Sequence, residues 1–355
     1  MKRKSVGLII TILVLFCFLI SKKEVCDELI FSIQDLLHLI PSTKDFVFRG
    51  KIAVAGEVKE RVDEYTINLY RIIVIDLESK EEIVLPFYGE LYYTRLKDIA
   101  WSPDGKKIAF IGSTLSGGVF KEYIYIINAS SYILKAMGNK TSQRDLEFLK
   151  IATPFIHLWD IQFSPDGKKI IFAATKDEQS VFPNPTYEIY LMNSDGTNIT
   201  KLTQGYYPRW SPDGKKIVFE RGDYHIYVIN ADGTNLTRLP TENLYPCSPN
   251  WSPDGKEIIF SAHPDPFSPA LIIGVMSFNG SNLRWLTNAK IIEPGYRESS
   301  WDIRAVWIPG RNKIIFISNR DGYWAVYMIN PDGTNLIQLT RNPNLNPKSL
   351  AHSPP

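Results

Sequence analysis

Along most of this chain the apolar residues fall in short runs that are β-branched or aromatic and show no helical period, and turn-forming polar tetrapeptides separate them. Residues 210–239 display the unit most plainly. Trp210-Ser211-Pro212-Asp213-Gly214-Lys215-Lys216-Ile217-Val218-Phe219 leads through His225-Ile226-Tyr227-Val228-Ile229-Asn230 to Ala231-Asp232-Gly233-Thr234-Asn235 and Leu236-Thr237-Arg238-Leu239. Pro212 presets φ for the first turn and Gly214 takes its φ > 0 position. Asp232-Gly233 is a strong hairpin signal. The pattern predicts four short strands in an antiparallel meander.

The unit recurs with fixed spacings. Trp101, Phe163, Trp210, Trp251 and Trp307 each precede an aromatic by nine residues (Phe110, Phe172, Phe219, Phe260, Phe316). Tyr125, Tyr190, Tyr227, Gly274 and Tyr327 precede Met137, Leu202, Leu239, Leu286 and Leu339 by twelve, and a degenerate first copy repeats that interval from Ile73 to Leu85. Six meanders that are apolar on both faces cannot bury themselves singly, whereas radial stacking covers each sheet with its neighbours. The expected fold is all-β, a six-bladed β-propeller of four-stranded antiparallel blades. The repeated Trp-Ser-Pro-Asp-Gly-Lys followed by Asp-Gly-Thr-Asn resembles the TolB-like propeller family, whose repeats also occur in the propeller halves of tricorn-type and prolyl-oligopeptidase-type peptidases. The resemblance covers roughly residues 46–355 and speaks to fold more than to activity.

The N-terminus reads differently. Lys2-Arg3-Lys4 precedes an uncharged apolar run from Val6 to Ile20, closed by Ser21-Lys22-Lys23, which predicts a membrane anchor or signal segment over 1–23. Val25, Leu29, Ile33, Leu36, Leu37 and Ile40 then form one helical stripe ended by Pro41, a short amphipathic helix over 24–41. The propeller is assigned to 42–355. These readings place the protein at a membrane with its propeller outside the cytoplasm, or in a secreted or periplasmic form if the segment is removed. At the other end, His352-Ser353-Pro354 is a residual Trp-Ser-Pro, so residues 349–353 are expected to supply the inner strand of the first blade and close the ring. Asp45-Phe46-Val47 is the competing choice.

Composition narrows function. The formal net charge is +2, with 40 basic and 38 acidic residues, so no basic field argues for a nucleic-acid partner. Three cysteines are too few for a disulfide scaffold, leaving Cys26 and Cys247 either paired or free. The five histidines show no ligand spacing, the Asp-Gly-Thr-Asn turns lack the acidic pattern of an EF-hand, and no Gly-x-Ser-x-Gly occurs. No metal and no cofactor is expected, and the peptidase relatives' catalytic residues have no positions here to land on.

The two constant turns of each blade share one face, so the connections of variable length share the other. Binding on rigid scaffolds usually resides in variable loops. The inner strands enter the channel from that face, and three residues before their anchor aromatics stand Asp98, Asp160, Tyr207, Ser248 and Arg304, with Arg209 and Asn250 immediately before two of them. Trp159 and Trp301 begin two of these strands. Asp98, Trp159, Asp160, Arg209, Asn250, Trp301 and Arg304 are therefore candidate ligand- or partner-binding residues; ring-stabilising salt bridges are the structural alternative. The resemblance implies an envelope protein that engages other proteins across its propeller faces. The expected function is a non-enzymatic protein-binding or assembly module, and a propeller enzyme or solute sensor acting on a carbohydrate or peptide at the channel mouth is the alternative.

Overall fold

Four-stranded antiparallel sheets form because each Ser-Pro-Asp-Gly and Asp-Gly-Thr turn is locked by its own side chains. In the fourth blade Ser211 Oγ donates to Asp213 Oδ1 at 2.6 Å, Lys215 N donates to the same oxygen at 3.0 Å, and Lys216 N donates back to Ser211 Oγ at 2.8 Å. At the next turn Thr234 N donates to Asp232 Oδ1 at 2.9 Å while Asn230 Nδ2 donates to Thr234 Oγ1 at 2.8 Å. Such closed loops admit neither insertion nor deletion, which explains the constant spacings. These aspartates are turn locks.

The computed structural model describes residues 51–352 except 63–64, 79–80, 87–93, 117–118, 137–147, 177–186, 242–243, 266–267, 289–299 and 341–344. All belong to one unit, Val47–Pro355. There are six sheets of four strands. In the second to sixth blades the inner strands are Arg95–Trp101, His157–Phe163, Tyr206–Trp210, Cys247–Trp251 and Asp302–Ile308. The first blade takes its inner strand from the other end of the chain: Leu345–His352 pairs antiparallel with Lys51–Val62, with Val54 opposite Leu350 and Ile52 opposite His352. Successive inner strands touch one another around the ring, and Leu345–His352 of the first blade touches those of both the second and the sixth. Closure by the C-terminal strand is thus observed, with the strand beginning earlier than residue 349; the competing Asp45-Phe46-Val47 lies outside the described residues.

Between blades the core is aromatic and aliphatic. Phe110, Phe172, Phe219, Phe260 and Phe316 are fully buried, and four of them stack on or beside the tyrosine of the adjacent strand, as Phe219 does on Tyr227 at 5.8 Å. Trp101, Trp210, Trp251 and Trp307 are buried against neighbouring sheets.

Three expectations are corrected. The second blade has no Asp-Gly-Thr turn: a helix, Ala129–Ala136, occupies its place, and the outer strand is Phe148–Ala152 instead of one at Met137, which itself lies outside the described residues. Asn128 caps that helix, its Oδ1 accepting from Ser131 N at 3.1 Å. The expected membrane or signal helix over 1–23 and amphipathic helix over 24–41 fall outside the described residues. Among those described, the only helix has eight residues, and no helix is long and apolar enough to cross a membrane. Such a helix spans roughly 12 Å against the ~30 Å of a hydrocarbon core. The fold is accordingly described as the propeller alone, and with that correction go the transmembrane helix, the signal anchor, the membrane as partner and the membrane-anchored location. Cys26, the possible partner of Cys247, also lies outside the described residues.

Candidate functional site

Every inner strand is bulged at the same place. The pairing register shifts between Leu96 and Asp98, Trp159 and Ile161, Tyr206 and Arg209, Cys247 and Asn250, and Ile303 and Val306, and opposite Ser349 in the first blade. A bulge inserts one residue and re-aims its side chain. In four blades that residue has a left-handed backbone, with φ of 48° at Asp160, 50° at Tyr207, 52° at Ser248 and 55° at Arg304. Holding non-glycine residues there costs on the order of 1 kcal/mol or more each. With Asp98 and Ser349 from the second and first blades, these four strained residues make a ring of side chains from six strands.

The ring stitches blade to blade. Asp98 Oδ2 accepts from Ile161 N at 2.8 Å, Asp160 Oδ2 accepts from Tyr207 N at 3.0 Å, and the Ser349 hydroxyl donates to Asp98. Arg304 crosses the channel, its Nη1 at 3.3 Å from Asp98 Oδ1 and 3.5 Å from Asp160 Oδ1. Its guanidinium also lies 5.4 Å from the Tyr207 ring centroid. Arg209 Nη2 is a more distant partner of Asp160, at 3.8 Å. Both aspartates are buried. Burial pushes the Asp160 carboxyl up to about 7, a rise that Arg304 opposes and Asp98 adds to. For Arg304 burial works against the charge, but Asp98 and Asp160 outweigh it and raise its pKa. Glu220, at the end of the neighbouring strand, is pushed up to about 8 by burial and then by Asp160, and its Oε2 has no hydrogen-bond partner.

Four of the seven sequence candidates, Asp98, Asp160, Arg209 and Arg304, therefore meet in one cluster. Asn250 does not join it; with Arg209 it lines a cavity on the constant-turn side. Trp159 and Trp301 sit at the opposite rim, Trp159 facing Lys97 Nζ at 5.6 Å and Trp301 46% exposed, its Nε1 donating to Pro269 O at 3.1 Å. Three groups escaped sequence reasoning. Ser349 could have been found by counting three residues back from His352, and Glu220 follows the invariant aromatic Phe219. The third is Tyr224 and Tyr245, whose rings meet edge to face at 5.9 Å on the variable-loop face; no spacing marked them. Among the described residues, no three His, Cys, Asp or Glu side chains are placed to hold a metal ion.

Residues 159–297, which span the third to fifth blades, match the family model described as the TolB beta propeller domain. The chain is a six-bladed propeller related to the TolB family. TolB from Acinetobacter baumannii is 20% identical, with a TM-score of 0.61 over 91% of this chain and 70% of that one. A protein assigned as TolB from Agrobacterium tumefaciens is also 20% identical, with a TM-score of 0.57 over 81% and 89%. A chain of the nidogen/laminin complex, 10% identical, reaches 0.58 over 84% and 97%. At these identities the likeness is one of fold. No curated protein sequence matches the chain.

Proposed function

We propose that this TolB-related propeller is a non-enzymatic protein-binding module that engages its partner through the variable-loop face. The observation that carries the reading is the aromatic content of that face. Phe120, Tyr224, Tyr245 and Trp301 all stand on its connections or strand entrances, and all are exposed. Tyrosine and tryptophan dominate the energetics of protein interfaces because they bury large area at little conformational cost. A ring of buried ion pairs behind them closes the channel and holds the inner strands in register, so Asp98, Asp160 and Arg304 position the surface and Trp301 and Trp159 meet the partner at its rim.

The test is crosslinking capture with the full chain, run beside Trp301→Ala and Tyr224→Ala/Tyr245→Ala variants and a control, Leu283→Ala, exposed on the constant-turn side. The reading requires a discrete partner that both rim variants lose and the control keeps. Equal capture by all four proteins would overturn it.

A further inference from the structure

On the constant-turn side the channel opens into a cavity of about 390 Å³, within the range of about 300–1,000 Å³ that small-molecule sites occupy. The buried ring of Asp98, Asp160 and Arg304 lies two residues further along the inner strands. The residue immediately before each anchor lines this cavity, one from each blade: Ala351, Ala100, Gln162, Arg209, Asn250 and Val306. The sequence register thus divides the wall. Third, fourth and fifth blades give polar residues; sixth, first and second give apolar ones, extended by Ile99 and Leu350.

The polar half is donor-rich. Gln162 Oε1 accepts from Trp210 N at 2.7 Å and Asn250 Oδ1 accepts from Trp251 N at 2.8 Å. A backbone N–H can only meet the carbonyl end of an amide, so in both residues the NH2 end is the one left over. Arg209 donates through Nη1 to Pro208 O at 2.8 Å and approaches Asp160 only at 3.8 Å. Asp160 is already served by Arg304 at 3.5 Å and Tyr207 N at 3.0 Å. Among the described lining residues Arg209 is the only charged one. A cation has no counter-charge here, and a wholly apolar ligand would desolvate the guanidinium without replacing its water.

We propose that this cavity binds a small organic carboxylate. Arg209 takes the carboxylate with the amide groups of Gln162 and Asn250, and the apolar body lies against Val306, Ala100, Ile99 and Leu350. The site is separate from the variable-loop face and independent of the partner read there.

Trp101, Trp210, Trp251 and Trp307 line the cavity, so tryptophan fluorescence reports its occupancy. The full chain is titrated with hexanoate and cyclohexanecarboxylate, each beside its primary amide, by fluorescence and by calorimetry. Saturable binding of a carboxylate at one site is expected, with the amide weaker by about tenfold or more because it forfeits the charge-assisted pairing. Arg209→Gln should weaken the carboxylate by a similar factor. Asn250→Asp preserves the acceptor for Trp251 N and the shape of the wall while adding a negative charge, and should abolish carboxylate binding with the melting temperature unchanged. No saturable binding of either acid, amides that bind as tightly, or undiminished binding in Asn250→Asp would each overturn the proposal.

Discussion

Arg304, on the sixth blade, holds its Nη1 3.3 Å from the Oδ1 of Asp98 on the second, although 206 residues separate them in the chain. The contact spans the channel and is buried at both ends, so its removal leaves the Asp98 carboxylate without its counter-charge and Asp160 with only the more distant Arg209. Arg304→Met is expected to destabilise the fold by about 3–5 kcal/mol. Adding Asp98→Asn should return part of that loss, because an amide needs no counter-charge. Urea unfolding of the two single variants and the double one measures the coupling; strict additivity would mean the contact is not energetically linked.

Stability should be greatest in mild acid. The Asp160 and Glu220 carboxyls are raised in the fold, to about 7 and about 8, so the folded state holds more protons than the unfolded one between their unfolded values near 4 and these pKa values. Their contribution is complete below about pH 4 and is lost as pH rises toward 8. The turn aspartates act oppositely: Asp166, Asp213 and Asp254 are lowered by serine hydroxyls, and Asp232 and Asp332 by threonines. Their contribution disappears as pH falls below the ordinary carboxylate range. Glu220→Gln should flatten the decline between pH 5 and 8 while leaving the acid limb alone, as chemical denaturation across pH would read out. A variant with an unchanged alkaline slope would show that Glu220 does not titrate as described.

The blades were legible because their turns are closed by residues adjacent in sequence: Ser211, Asp213 and Gly214 announce their own geometry. Closure by the last strand was legible because His352-Ser353-Pro354 keeps the register of the repeat. The second blade was misread, since Asn128-Ala129-Ser130 can cap a helix as readily as open a turn, and the twelve-residue interval to Met137 was coincidental. The candidate site was half legible. Repeat register brought Asp98, Asp160 and Arg304 to one level, but their mutual pairing depends on bulges and on the opposite side of the ring. Tyr224 and Tyr245 meet only because a connection within the fourth blade and the one leading on to the fifth fold toward one another, which spacing along the chain does not encode.

Removing residues 345–355 should cost the propeller its cooperative transition. That segment supplies the inner strand of the first blade, buries Leu345 and Leu350, and places Ser349 on Asp98. A milder probe is Leu345→Ala, expected to cost about 2–5 kcal/mol as a large-to-small core change. Gly56→Ala should also destabilise, since a Cβ there would meet Leu345 Cδ1 at 2.8 Å and Asn346 O at 3.1 Å. Calorimetry of the truncated chain decides the matter: an unchanged melting temperature would mean that another segment closes the ring.

Tyr224 and Tyr245 present a conflict between stability and exposure. Both have left-handed backbones, at φ of 60° and 45°, and the residues are 52% and 46% exposed. Tyr245 also meets His263 edge to face at 6.3 Å. An aromatic pair contributes roughly 0.5–1.5 kcal/mol, while each left-handed tyrosine costs about 1–3 kcal/mol, so the pair is not retained for what it adds to the fold. Asparagine tolerates the left-handed region, and Tyr245→Asn is expected to leave the unfolding free energy unchanged or to raise it by up to ~1 kcal/mol. Partner capture by the variable-loop face should fall in the same variant. Stability and binding moving in opposite directions would mark Tyr245 as a contact residue. Loss of stability with binding intact would make it a structural one, leaving Phe120, Tyr224 and Trp301 as the exposed aromatics of that face.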